Sequence, residues 1–369
     1  MPTYCLVPEN SVLDLAKYAA AALIVSFHAL PLFGVEVLDV LYGQWLVRSC
    51  VPLFLLSSGY FFTRMDRARR LGYLRRVAAI YVAATILFLP MLLIEMQTTP
   101  TAGATWLLRN LLLGYYHLWY LSALTVGLAV WLLCAAAPRL RQHLRRRYPV
   151  YAVLLLLSGA LLDEYRKLLG VTALERIGQV VAVLGGSRHA LLFGIPLLLV
   201  GRFISEHQEA LRRLQPRAHL LLGGAAAALG LAECVFLYRR LGAGISCDVT
   251  LFGWMPAMSV FLLSFYMRVS AAEGFSRTAR KQADLVYVIH PWVIFLCIRL
   301  LDLHHLPLGV TAVACSATAS AACIALLSQW RARSSLPPRT SPLPGGDIRG
   351  PSRRTAPCFR ETGRYGPQH

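Results

Sequence analysis

Apolar residues fall in long runs from one end of the chain to the other, separated by short polar stretches. A helix needs about 20 predominantly apolar residues to cross a bilayer, where it alone can satisfy its own backbone hydrogen bonds. Windows of that length give ten candidate spans: residues 12–33, 45–63, 77–96, 117–136, 150–162, 190–204, 219–237, 249–268, 284–301 and 308–329. The pattern predicts an all-α fold, a polytopic membrane bundle of about ten transmembrane helices. The spans at 150–162 and 190–204 are short, so each is expected to be tilted, extended into its flanks or re-entrant. The expected division is an N-terminal segment 1–11, one membrane domain 12–330 and a tail 331–369, rich in Pro, Gly, Ser and Arg, that reads as disordered.

Composition narrows this picture. Of 369 residues, 57% are apolar and 15% charged, against about 25% charged in an ordinary soluble domain. Most soluble classes are excluded. The net charge of +19 raises nucleic acid as a partner, but its placement argues against one. Basic stretches at 64–76, 139–147, 202–217 and 268–281 and in the tail from Arg331 alternate with less basic loops at 34–44, 97–116, 163–189, 238–248 and 302–307. Cytoplasmic loops carry such an excess of Lys and Arg, so both termini are expected in the cytoplasm of a multi-pass cell-membrane protein. The arginines would face anionic membrane lipids.

Nine cysteines, an odd number, include no Cys-x-x-Cys pair and several lie inside apolar runs. They read as buried membrane residues, with neither a metal site nor a disulfide framework expected. The first apolar run follows no basic n-region and no small-residue cleavage site, so it is expected to be a retained helix. Phosphate-loop, dinucleotide, nucleophile-elbow and His-Glu-x-x-His motifs are absent from the sequence. Chemistry must therefore come from polar residues inside the spans.

The first run, "LDLAKYAAAALIVSFHALPL", carries Asp14, Lys17 and His28. Lys17 and His28 are eleven residues apart, about 1100° of helical rotation, which puts them on one face separated by roughly 16 Å along the axis. Asp14, one turn before Lys17, is positioned to pair with it. One reading has Lys17 snorkelling to the head groups and His28 hydrogen-bonding a neighbouring helix. The other has His28 taking a proton from a hydroxyl nucleophile, since ionisable groups are costly in a bilayer.

Further polar positions follow the same double reading. Arg48 in "RSCVPLFLLSSGYFF" is either an interfacial anchor or an anion-holding group, and Ser57, Ser58 and Gly59 suit close helix packing. Arg75 and Arg76 are either ordinary positive-inside charge or a site for donor phosphates. His117, Trp119 and Tyr120 sit at the mouth of the fourth span, where an aromatic belt accounts for the last two. Gly185 to His189 form a polar turn able to end a helix and present Arg188, and His290 precedes Pro291, which must loosen the ninth span.

In their order, these segments resemble the acyltransferase family 3 of integral membrane acyltransferases over residues 12–330. The family's first helix carries an arginine, ten residues and a histidine, matched here by Lys17 and His28. "RSCVPLFLLSSGYFF", "HLWYLSAL" and "LVYVIHPWVIF" resemble its later signatures. Within the family, "YVAATILFLP", "YHLWYLSAL" and "GSRHALLFGIPLL" resemble the membrane domain of vancomycin-resistance-type serine/alanine racemases. Those proteins add a pyridoxal-phosphate racemase domain that is not expected here, so racemase activity is not implied. Lysine at position 17 keeps the charge of the family's arginine but loses its planar fork.

The resemblance implies transfer of an acyl group, commonly acetyl, from cytosolic acyl-CoA as cosubstrate, with no bound cofactor, to a hydroxyl of an extracytoplasmic saccharide or other cell-envelope acceptor. On that model His28 is the base or acyl relay, Lys17 orients it or holds negative charge, and Arg75 and Arg76 receive donor phosphates. Arg48 and Arg188 become candidates for the acceptor or a developing oxyanion. The alternative is a membrane carrier for a small amino acid such as serine. Paired broken spans in matching halves, the mark of an inverted-repeat carrier, are not visible in the sequence.

Overall fold

The computed structural model describes residues 10–98, 103–183, 185–186, 188–267 and 273–334. Its chain divides into two units, residues 1–325 and 326–369. Of the second, only the end of one helix lies among the described residues, and the disordered tail expected from Ser335 onward falls outside them.

The first unit is helical throughout its regular structure. Helix α1 (Ser11–Phe27) begins at Asn10, whose side chain accepts from the Leu13 N–H. Helix α2 (Glu36–Val40) runs through a wide π turn (Leu41–Leu46) and a short 3₁₀ turn (Val47–Ser49) into α3 (Cys50–Arg64). Helix α4 (Arg67–Thr98) is preceded by Asp66, whose Oδ1 accepts the Arg69 N–H at 2.9 Å. That backbone bond and the Arg69 side chain hold the Asp66 carboxyl below the ordinary carboxylate range.

Helix α5 (Ala104–Leu113) leads through Gly114 and a 3₁₀ turn into α6 (Trp119–Ala136). Then come α7 (Pro138–Ala160), a π turn (Leu161–Tyr165), α8 (Arg166–Leu169) and α9 (Thr172–Val183). A third π turn (Ala190–Gly194) opens α10 (Ile195–Glu206), followed by α11 (Gln208–Arg213) and α12 (Pro216–Leu241). The chain closes with α13 (Met255–Leu263), α14 (Glu273–Leu301) and α15 (His305–Ser334).

Six helical stretches among the described residues are long and apolar enough to cross a membrane: Glu36–Arg64, Arg67–Thr98, Tyr116–Ala136, Pro216–Leu241, Thr278–Leu301 and His305–Gln329. The architecture is a helical membrane bundle. The other four expected spans coincide with shorter helices or with part of a charged one. In the span expected at 249–268, residues 249–254 are irregular and helix begins only at Met255. Loops expected at 34–44, 97–116 and 163–189 contain helical turns of their own.

Close approach at the centre depends on glycine. Helices α3 and α10 cross where a methyl group on Gly59 would overlap the Leu198 carbonyl, and one on Gly201 would overlap that of Leu56. The small residues of the second span therefore serve packing, as one of the two readings expected. Leu55, Leu56, Phe62, Leu197 and Phe261 are fully enclosed around this crossing. All seven described cysteines are free. Cys50, Cys234, Cys247 and Cys297 are buried as expected, whereas Cys315 and Cys323 are exposed on α15, a helix with little protein cover.

Asp14 acts on Lys17 only through space, and its direct contacts are made to another helix. Its Oδ2 accepts from the Ser276 hydroxyl at 3.0 Å and lies 3.9 Å from Arg280 Nε, so it ties α1 to α14. A carboxylate buried to 5% exposure needs such partners, and α14 presents two on adjacent turns.

Candidate active site

Two cavities lie back to back along α1. One, of about 580 Å³, is lined by Lys17, Ser58, Tyr73, Arg76, Lys281 and Asp284 among others. The second, of about 400 Å³, is lined by His28, Arg48, Arg109, Tyr116, Trp119 and Arg188 among others. Ile24, Val51, Tyr120 and Tyr287 line both, and so form a wall one side chain thick between them. Lys17 and His28, expected on one face of one helix, are thus divided between two chambers.

In the first chamber, where Lys17, Arg76, Arg280 and Lys281 outnumber Asp14 and Asp284, the Lys17 ammonium lies over the Phe61 ring, 5.4 Å from its centroid. Arg76 and Lys281 reach the same space, with Asp284 among them. Arg75 does not line it. Neighbouring residues on a helix point about 100° apart, so only one of an adjacent arginine pair can face a given cavity.

His28 stands just past the end of α1, where its N–H still closes the last turn onto Ile24 and Val25. Its Nδ1 is 3.0 Å from the Tyr116 hydroxyl. Tyr116 holds a φ of +52°, a left-handed conformation that costs a side-chain-bearing residue on the order of 1–2 kcal/mol. It follows Gly114 at φ +96°, where a Cβ would collide with the Trp119 backbone. This contorted link between α5 and α6 aims the tyrosine at His28.

The other neighbour of His28 is His290, with ring centroids 5.1 Å apart. Pro291 has no N–H, which leaves the Tyr287 carbonyl one turn earlier without its helical donor. His290 Nδ1 fills that gap at 2.7 Å. Donation from Nδ1 fixes the neutral tautomer and leaves a lone pair on Nε2, which has no hydrogen-bond partner although the residue is fully buried. The expected structural histidine at the proline is therefore also a neighbour of the candidate base. His117, likewise buried rather than at a mouth, packs against His290 at 5.0 Å, and its carbonyl accepts the Tyr287 hydroxyl.

The structure brings Arg48 and Arg188 together through a residue that the sequence did not single out. Asp248 Oδ1 is 2.5 Å from Arg48, and its Oδ2 is 3.4 Å from Arg188. Arg48 also stacks on Phe27 at 4.6 Å and donates from Nε to Gln44 at 3.3 Å. Arg188 follows two glycines at φ +106° and +80°, a turn in which the Gly186 N–H caps the Val181 carbonyl at 2.9 Å.

Asp248 sits in a loop, residues 242–254, whose amides are held by side chains. Ser246 N–H donates to Glu164, Cys247 N–H to Gln44 and Val249 N–H to Asp163, at 3.0–3.2 Å. Leu251 and Phe252 N–H both donate to Glu233 at 2.8 Å, and the Tyr165 hydroxyl adds a third bond to that carboxylate. Amides outside regular structure and shielded from water need acceptors, and Gln44 and these carboxylates supply them. Glu233 was the legible sign of this network, an acid in the middle of an apolar span.

The family model described as an acyltransferase domain matches residues 10–330. The chain belongs to that acyltransferase family. Curated relatives include a serine/alanine racemase from Enterococcus gallinarum, 25% identical over 299 residues, which span 78% of this chain and 41% of the relative. An amino-acid racemase from Enterococcus faecalis is 24% identical over 212 residues, covering 55% of this chain and 29% of that protein. The acyltransferase chain thus spans less than half the length of the curated relatives it matches. No solved structure matches it.

Proposed function

We propose that this acyltransferase takes an acyl group, in the simplest case acetyl, from cytosolic acyl-CoA in the basic chamber and delivers it to a hydroxyl of a saccharide or cell-envelope acceptor in the histidine chamber. The observation that carries the reading is the thin wall of Ile24, Val51, Tyr120 and Tyr287, with Lys17, Arg76 and Lys281 on one side and His28 on the other. A donor whose phosphates rest among Lys17, Arg76 and Lys281 has its thioester end directed at that wall. The donor role expected for Arg75 passes to Lys17 and Lys281.

With Nδ1–H donated to the Tyr116 oxygen, His28 keeps a lone pair on Nε2 and can accept the acceptor's hydroxyl proton. The oxygen then attacks the thioester carbon, a C–O bond forms, the C–S bond breaks and the proton that His28 accepted passes to the released thiolate, which restores the neutral imidazole. His290 packs against the same imidazole, with ring centroids 5.1 Å apart, and helps to hold it in place. Contact with His28 falls to Tyr116 and His290, which leaves Lys17 the charge-holding part of its expected role.

The test is incubation of the purified protein in detergent with labelled acetyl-CoA, with release of CoA and label on protein or acceptor as readouts. His28→Ala is expected to lose about 10²–10⁴-fold in rate. If neither the wild type nor its membranes consume donor above that variant, while proteoliposomes accumulate serine, the carrier reading takes its place.

A further inference from the structure

The histidine chamber holds more positive charge than a neutral acceptor calls for. Arg48, Arg109 and Arg188 line it, and among the described residues no aspartate or glutamate does. Among the described residues, the ion pairs of these arginines run to Asp248 alone. Asp248 is already committed, at 2.5 Å to Arg48 and at 2.6 Å to the Ser246 hydroxyl. At 3.4 Å its bond to Arg188 is at the outer limit of a hydrogen bond, and the Arg188 side chain stays 45% exposed. Arg109 spends one N–H on a neutral acceptor, the Ala182 carbonyl, at 2.8 Å.

Three guanidinium groups against one carboxylate leave an excess of two positive charges in a half-enclosed space, which a bound anion would offset. Beside these charges lie flat aromatic surfaces. Trp106, Trp119 and Tyr116 line the same chamber, and the Arg188 guanidinium rests 5.5 Å from the Trp119 ring centre. A ring with an apolar C–H face and an anionic substituent matches both features.

We infer that the acceptor is a saccharide bearing a carboxylate or a phosphate, which Arg188 and Arg109 grip while a neighbouring hydroxyl faces His28. The inference rests on reading this chamber as the acceptor side of the transferase. Asp248 acts as a positioning residue: it pins Arg48 and leaves Arg188 the freer of the two.

The experiment uses the full-length purified protein with acetyl-CoA and three probes at equal concentration: methyl glucoside, methyl glucuronide and glucose 6-phosphate. CoA release and calorimetric binding are both measured. The charged sugars are expected to be favoured over the glucoside by about tenfold, the worth of one charge-assisted contact. The better of the two identifies carboxylate or phosphate. Arg188→Gln should bring the ratio close to one, and Arg188→Lys should retain part of it.

Equal use of the neutral probe, failure of both charged probes to bind, or a preference that survives Arg188→Gln would overturn the inference. If no probe leads to donor consumption but calorimetry still shows the charge preference, the transferase reading fails and the anion site stands.

Discussion

Lys17 shows how one residue can satisfy a local pattern and still act elsewhere. Its spacing from His28 is a property of the helix alone, yet its ammonium lies over Phe61 in a chamber that His28 does not enter. If it holds donor phosphate as a point charge, Lys17→Arg should keep most of the transfer rate, since the guanidinium restores the fork of the family's arginine. Lys17→Ala should instead raise KM for the donor more than it lowers kcat, a split read from initial rates over a range of acetyl-CoA concentrations. His28 was legible in the sequence because an ionisable group in an apolar run is costly there. Tyr116 was not, because its role depends on a left-handed backbone that no periodicity reveals.

At the scale of elements, two wide π turns converge on one loop. Leu41–Leu46 supplies Gln44, and Leu161–Tyr165 supplies Asp163 and Glu164. Each of the two departures from regular helix re-aims polar side chains that a straight helix would carry past the loop. Glu233→Ala would leave two partly buried N–H groups and the Tyr165 hydroxyl without an acceptor. A loss of about 3 kcal/mol is expected, seen as earlier thermal unfolding in detergent, whereas Glu233→Gln should lose less because one acceptor oxygen remains. Gly59→Leu would force α3 and α10 apart and should destabilise by about 1–3 kcal/mol or more, measured in the same way. The helix pairing was partly legible from the small residues of the second span, but the partner was not.

For the whole molecule, the proposed function gives the two chambers opposite tasks. Arg76 closes the basic stretch at 64–76 and Lys281 the one at 268–281, so in the proposed orientation, which rests on charge alone, the basic chamber opens to the cytoplasm. Single cysteines at Arg76 and at Arg188, in a background with the native cysteines replaced, should separate cleanly. A membrane-impermeant thiol reagent applied to intact cells is expected to label position 188 and to reach position 76 only after the membrane is opened. Labelling of position 76 from outside would reverse the orientation.

The sequence by itself determined that the chain is an all-α membrane bundle of the acyltransferase family and that the first helix carries the pair Lys17 and His28. Hydropathy over about 20 residues and rotation along one helix are local quantities, so they are written directly in residue order. Only the tertiary structure decided that a wall divides the pair, that Tyr116 and His290 attend His28, and that Asp248 joins Arg48 to Arg188. Those contacts link residues tens to hundreds of positions apart, where packing of one helix against another, and not any repeat along the chain, sets which polar groups meet.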